Sequence, residues 1–219
     1  MSAASVTENP APVGGSGTDA PVGFSGSYAP EDVTFLLQRV EQPFIDVASK
    51  ERLLQTRERH YSELLSPEHA PSAEYLAAFE RACASNGDRL AGDVLQLARI
   101  VADRANGPIA LVSLARAGTP IGVLLRRTLT ERFGREVAHF SISIIAGRGI
   151  DEEALDVVRA QPGIDDAAIV FVDGWTGKGV IGRALTKAVT EYNASRGAQL
   201  DPTLHVVVDL CGSTQAAST

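Results

Sequence analysis

The sequence predicts an α/β domain with a doubly wound, mainly parallel sheet and an N-terminal helical annex. Three observations carry this expectation: four short apolar runs in the C-terminal half, helical patterns between them, and few aromatic residues. Strands that alternate with helices run parallel, are joined by right-handed crossovers and are covered on both faces. A composition that is 44% hydrophobic but only 5% aromatic builds its core from Leu, Ile, Val and Ala, as helices on a sheet do. At 219 residues the chain has the length of one such domain with a helical addition.

Residues 1–24 are rich in Gly, Pro, Ser, Ala and Thr and are expected as a disordered tail, because they bury too little to offset the entropy of ordering. Residues 25–105 read as the annex or hood, and residues 106–219 as the α/β core. Within the annex, Ser72 is placed to cap a helix over Ala73–Ala84. A second helix is expected from Asp88 to Ala105, where Leu90, Val94, Leu97 and Val101 recur on one face. The four strands are expected at Ile109–Leu114, Val137–Ile145, Ala168–Val172 and Leu204–Leu210. Helices fall between them at Pro120–Phe133, stopped by Gly134, at Glu152–Ala160, opened by Asp151, and at Gly179–Ser195, stopped near Gly197.

A formal charge of −7 argues against nucleic acid or an acidic membrane as partner, since both need a basic field. No apolar run reaches membrane-spanning length, and the N-terminal residues lack the basic region and apolar core expected of a signal peptide. The two cysteines, Cys83 and Cys211, form no disulfide framework, so the cytoplasm is the expected setting.

In a doubly wound sheet ligands bind beyond the carboxyl ends of the strands. The third predicted strand runs into Asp173-Gly174-Trp175-Thr176-Gly177-Lys178-Gly179 and then a helix. Its three glycines let a phosphate approach the backbone, whose free amides point at the anion. Asp173 is the acceptor for sugar hydroxyls or a ligand for a divalent metal, Thr176 adds a hydroxyl and Lys178 a point charge. A nucleotide-binding loop of the GxxxxGK[ST] form is excluded, because Val172 stands where it needs Gly and Gly179 where it needs Ser or Thr. The first strand ends in Arg116-Ala117-Gly118-Thr119-Pro120, where a guanidinium beside a helix N-terminus suits a multiply charged anion such as pyrophosphate. Arg148, between Gly147 and Gly149, suits a loop that closes over phosphate. Asp209 and Cys211 stand at the end of the fourth strand. His139 and His205 lie at strand starts, opposite this site. Cys83 reads as a core residue.

These turns resemble those of type I phosphoribosyltransferases. More closely, Ser25–Leu37, Arg59–Glu63, Ser113–Gly122 and Phe171–Gly179 are similar to the bacterial StiP family. That family is described both as phosphoribosyltransferase-like and as a cysteine protease of tellurite-resistance and stress gene clusters, and its members continue past Thr219. The resemblance implies a phosphoribosyltransferase-like fold and a Mg²⁺-assisted transferase that uses phosphoribosyl pyrophosphate (PRPP) to make a nucleoside-like metabolite in a stress response. It implies Asp173 on the ribose hydroxyls, also touching the metal, and Thr176, Gly177, Lys178 and Gly179 around the 5′-phosphate, with Gly174 and Trp175 in the same PRPP-binding loop. Arg116, Ala117 and Gly118 would meet pyrophosphate, Thr119 would join them in binding PRPP, and Asp173, Arg116 and Arg148 would form the catalytic set. The family pattern has two adjacent acids and a longer loop, whereas here Gly174 follows Asp173.

Two other readings stand beside it. A non-enzymatic sensor of PRPP or a nucleotide would use the same loops without turnover. A cysteine protease would use Cys211, with His60 or His69 brought over the sheet as base. His205 lies six residues before Cys211, roughly 20 Å along an extended strand, too far to serve. The sequence leaves the acceptor and the oligomeric state open, a homodimer included.

Overall fold

The computed structural model describes residues 23–38, 44–56, 64–67, 69–104, 107–145, 147–214 and 216–218. The expected tail up to residue 22, and His60, lie outside them. The elements in chain order are β1 Thr34–Phe35, α1 Val47–Gln55, α2 Ala73–Ala102, β2 Ile109–Ala115, α3 Gly118–Phe133, β3 Val137–Ile145, β4 Gly149–Ile150, α4 Glu152–Arg159, β5 Ile169–Thr176, α5 Val180–Arg196, β6 Leu204–Asp209 and β7 Ala216–Ala217. The sheet has the order β1-β3-β2-β5-β6-β7 with every pair parallel, and β4 folds back antiparallel on β3. The doubly wound α/β architecture is therefore present, and all four expected strands and the three helices between them form.

Period-two alternation divides the core into two layers. Ala110, Val112 and Leu114 of β2 pack with Ile169 and Phe171 of β5 against Leu155 of α4 and Leu185 and Val189 of α5. Ile109 and Leu111 pack on the opposite face with Val170 and Val172, beneath Leu97, Ala98 and Val101 of α2 and Leu125 and Leu129 of α3. Three helix starts follow from their caps: Ser72 Oγ accepts from Tyr75 N at 3.1 Å, Asp151 Oδ1 from Ala154 N at 3.0 Å, and Asp46 Oδ1 from Ser49 N at 2.9 Å. Gly134 and Gly197, at φ 61° and 60°, end α3 and α5.

Several expectations are corrected. The two helices proposed over 73–84 and 88–105 are one, α2. Asn86 and Gly87 do not break it, because the Asn86 amide donates to Ala82 O at 2.9 Å and Gly87 sits in open space. Cys83 is exposed rather than buried, since every residue from Glu80 to Gly92 is exposed and α2 meets the sheet only from Val94 onward. Residues 25–105 are thus more than an annex: β1 extends the sheet beside β3, and the last turns of α2 belong to the core. β1, β4 and β7, of two residues each, are too short for periodicity to reveal.

The N-terminal segment is bolted on by a buried charge. Asp32 is 2% exposed and receives Arg127 Nε at 2.8 Å and Nη2 at 2.5 Å, with Arg126 at 3.8 Å. The paired Arg127 holds the Asp32 carboxyl below its usual range. Two buried histidines behave in the opposite sense to a charged group. Burial, aided by Arg126 for one and Arg104 for the other, pushes His139 and His205 down from 6.5 to about 4. Both are neutral in the fold at pH values where the unfolded chain takes up protons, so their contribution is complete above about 6.5 and is lost as pH falls toward about 4. The thermal unfolding midpoint is therefore expected to be level above about pH 7 and to drop between pH 6.5 and 4. His205→Leu should flatten part of that slope in a calorimetric pH series, and an unchanged slope would contradict this account.

Candidate functional site

β5 does not end at Val172 as the sequence suggested. It continues to Thr176, because Trp175 and Thr176 pair with Val208 and Asp209 of β6. Only Gly177, Lys178 and Gly179 form the turn before α5. Asp173 is 8% exposed, and burial raises its carboxyl above the usual value against the opposing pull of Gly174 N–H, which donates to Oδ1 at 2.7 Å. Thr176 is buried, and its hydroxyl accepts from Gly179 N at 3.2 Å, so it shapes the turn from inside. Gly179 sits at φ 64°, with Ser213 Cβ 2.9 Å from where a side chain would begin. Trp175 is 59% exposed, and its ring lies over Gly177, 2.7 Å from the position of a Cβ there. Lys178 is exposed, and its carbonyl accepts from Arg183 at 3.1 Å.

The β2–α3 turn stands directly beside this strand. A Cβ on Gly118 would lie 2.5 Å from Val172 O and 3.1 Å from Asp173 Cα, and a Cβ on Gly174 would lie 3.2 Å from Ala117 O. The backbones of the two turns thus touch through paired glycines. Arg116 and Ala117 are exposed at the head of α3, and the peptide joining Ala115 to Arg116 is cis. Thr119 faces inward, with Oγ1 2.8 Å from Ser141 Oγ, so its hydroxyl is engaged within the protein.

Arg148 sits at the tip of the β3–β4 hairpin and lines a cleft with Ala184, Lys187 and Glu191 of α5. Asp209 is enclosed by its own turn, accepting from Cys211 N at 3.0 Å, Cys211 Sγ at 3.2 Å and Thr214 N at 2.7 Å. Burial works to raise its carboxyl, but the Thr214 and Cys211 amides outweigh it and the net direction is down. Cys211 is exposed. His205 is 1% exposed, with Nδ1 3.1 Å from Phe171 O, and His69 is exposed with no contact to Cys211 among the bonds of the described residues.

Two residues that the sequence did not assign to the site, Ser113 and His139, lie beneath the β2–α3 turn. Ser113 interrupts an apolar strand, and that break in pattern was the available signal. Its hydroxyl is 2.7 Å from His139 Nε2 and 3.1 Å from Gly118 O.

The model of the family described as "Tellurite-like stress resistance cysteine protease StiP" matches residues 26–219. The chain belongs to the StiP family. A curated relative, "Cysteine protease StiP" of Acinetobacter baylyi, is 46% identical over 191 residues, which is 87% of this chain and 49% of the relative. The chain therefore spans about half the length of that StiP protein. Solved structures similar to this StiP-family chain include the hypoxanthine phosphoribosyltransferase of Trypanosoma cruzi with IMP, at 14% identity and a TM-score of 0.42 over 60% of this chain and 71% of that one. Another is the xanthine-guanine-hypoxanthine phosphoribosyltransferase of Helicobacter pylori, at 17% identity and a TM-score of 0.38 over 57% and 78%. No helix of the described residues is long and apolar enough to cross a membrane.

The glycine contacts give a direct test of the geometry. Gly118→Ala must push Val172 and Asp173 away and should cost about 1–3 kcal/mol, the usual penalty for overpacking. Gly87→Ala meets no atom within 4 Å and sits in a helix interior, so it should stabilise by about 0.5–1 kcal/mol. Denaturant unfolding of both variants checks the pair; equal effects would refute the close approach at Gly118.

Proposed function

We propose that the protein is a PRPP-dependent phosphoribosyltransferase. The observation that carries this reading is the contact of the Arg116–Gly118 turn with Asp173 and Gly174, three residues before the Gly177–Gly179 turn that opens α5. Two turns at helix heads and a carboxylate then stand side by side, which supports binding of a sugar bearing phosphate at one end and pyrophosphate at the other. Amides in the first turn of α5 receive the 5′-phosphate. Asp173 accepts from the ribose hydroxyls, and that bond favours its ionised form over the protonation that burial promotes. Arg116, exposed at the head of α3, neutralises the departing pyrophosphate.

Rate enhancement in such a site comes from holding donor and acceptor in register and from stabilising charge on the leaving group, with no protein nucleophile. Among the described residues there is no group of three or more His, Cys, Asp or Glu that would hold a metal alone. Mg²⁺ fits a site with a single carboxylate, because it keeps waters and takes its remaining oxygens from substrate phosphates. Asp173 would hold it, and it would supply further neutralisation of the pyrophosphate. The hydroxyl of Thr119, engaged with Ser141, has no part in this reading.

The family name supports a second reading, a protease with Cys211 as nucleophile. Such an enzyme needs a thiolate, favoured by a nearby cation or imidazole. Here the thiol instead donates to the Asp209 carboxylate.

Asp173→Asn preserves shape and removes charge, so it should weaken PRPP binding by about 1.5–3 kcal/mol while leaving the unfolding midpoint nearly unchanged. Calorimetric titration with PRPP and Mg²⁺ and thermal unfolding of the same variant measure both. A destabilised variant that binds PRPP as well as wild type would remove Asp173 from the site. Cys211→Ala should leave PRPP affinity intact, and abolition of a peptide-cleaving activity by that change would establish the protease reading.

A further inference from the structure

Beneath α3, one face of the sheet carries a polar seam in an otherwise apolar layer. Ser113, His139 and Ser141 are 0%, 4% and 0% exposed, and Gly122 of α3 lies directly over the first two. A Cβ on Gly122 would collide with both Ser113 Oγ and His139 Nε2. The contacts form a continuous file: Asp32 O to His139 Nδ1 at 2.7 Å, His139 Nε2 to Ser113 Oγ at 2.7 Å, Ser113 Oγ to Gly118 O at 3.1 Å. One end is the N-terminal segment, the other the turn that heads α3.

Counting hydrogens fixes how this file works. Both end groups are carbonyl oxygens and only accept. Nδ1 must therefore carry the imidazole hydrogen, which leaves Nε2 an acceptor in the neutral ring. Burial holds that ring neutral near pH 7. The charged groups around it are Asp32 from the N-terminal segment and Arg126 from α3, while β2 presents only the Ser113 hydroxyl. The single hydroxyl hydrogen of Ser113 is thus shared between Nε2 and the Gly118 carbonyl, so neither partner can move without changing the other's hydrogen bond. Asp32 is itself clamped to Arg127 of α3, and this closes the file into a loop around the first turns of that helix.

We propose that Ser113 and His139 are positioning residues that hold the Arg116–Gly118 turn from behind and tie its pyrophosphate-facing backbone to the N-terminal segment at Asp32. This rests on the reading of that turn as the pyrophosphate site. The Gly118 carbonyl lies 3.1 Å from Ser113 Oγ and shares its hydrogen with His139 Nε2, while Gly118 leaves no room for a Cβ against Val172 O and Asp173 Cα. The Gly118–Thr119 peptide, whose N–H donates to Arg116 O at 3.2 Å and so closes the turn, is then set from two sides. Neither side chain touches ligand, and both act through the backbone of Gly118.

The test separates positioning from mere stability by using one ligand for each turn. Wild type and Ser113→Ala are titrated at fixed pH with Mg²⁺, once with inorganic pyrophosphate and once with ribose 5-phosphate, with thermal unfolding measured alongside. Ser113→Ala is expected to weaken pyrophosphate about 3- to 10-fold, the worth of one hydrogen bond, while ribose 5-phosphate, bound at Gly177–Gly179, stays unchanged. Unchanged pyrophosphate affinity, or equal loss for both ligands, would overturn the proposal. If Ser113→Ala does not fold, Ser113→Cys takes its place, since the thiol fills the space but donates weakly; it should show the same selective loss in smaller measure, and absence of selectivity counts against the relay. A folded wild type that binds neither ligand overturns instead the reading of the site, and that result is recognisable before any variant is made.

Discussion

The architecture depends on how closely α3 lies against the sheet. Gly118 and Gly122 stand one turn apart on the helix face turned to the strands, and a Cβ at either would meet an atom at or inside 2.5 Å. The absence of two methyl groups lets the helix head reach Val172 and lets Ser113 and His139 fit beneath the next turn. From that approach follow the contact between the two turns, the shielding of Asp173 and the inward direction of Thr119. Because interiors are packed at crystal density, a small shift here is passed on to every one of these neighbours.

The polar seam under α3 has an energetic logic of its own. A buried hydroxyl or imidazole is costly unless bonded, and the cost rises as the surroundings become more apolar. Ser113, His139, Thr119 and Ser141 meet this by bonding one another and the backbone. His205, on the same face of the sheet, meets it only in part: Nδ1 is bonded but Nε2 has no partner among the described residues. Asp32 closes the seam at its outer edge with the one buried carboxylate that takes both a bidentate Arg127 and a second arginine among the described ion pairs.

Much of the fold was legible in the residues because its signals are local. The four long strands, their helices, and the caps at Ser72 and Asp151 follow from period and end chemistry, and belonging to the StiP family was legible in the combination of motifs. What could not be read depends on neighbours far along the chain. Asp173 and Gly174 look like the start of a loop, yet β5 runs on past Val172 because β6 pairs with Asp173, Trp175 and Thr176. Asn86 and Gly87 resemble a break, but a helix already nucleated on either side crosses them at little cost. Arg148 between two glycines reads only as a loop in sequence, and its place at a hairpin tip follows from the pairing of Ile144 and Ile145 with the chain that returns after it. Ser113 and His139 each look like minor exceptions to apolar strands, and only the register of β2 on β3 sets them diagonally opposite.

Helix α2 carries a consequence for exchange behaviour. Its last turns, from Val94, are buried, while the stretch from Glu80 to Gly92 is exposed throughout and Tyr75, Leu76 and Phe79 before it are exposed as well. Outer amides are protected only by local helix–coil equilibrium, whereas inner amides open with the sheet itself. A single unbroken hydrogen-bond ladder should therefore display two protection regimes, with deuterium entering the outer turns through fraying and reaching the inner ones only through cooperative unfolding of the domain.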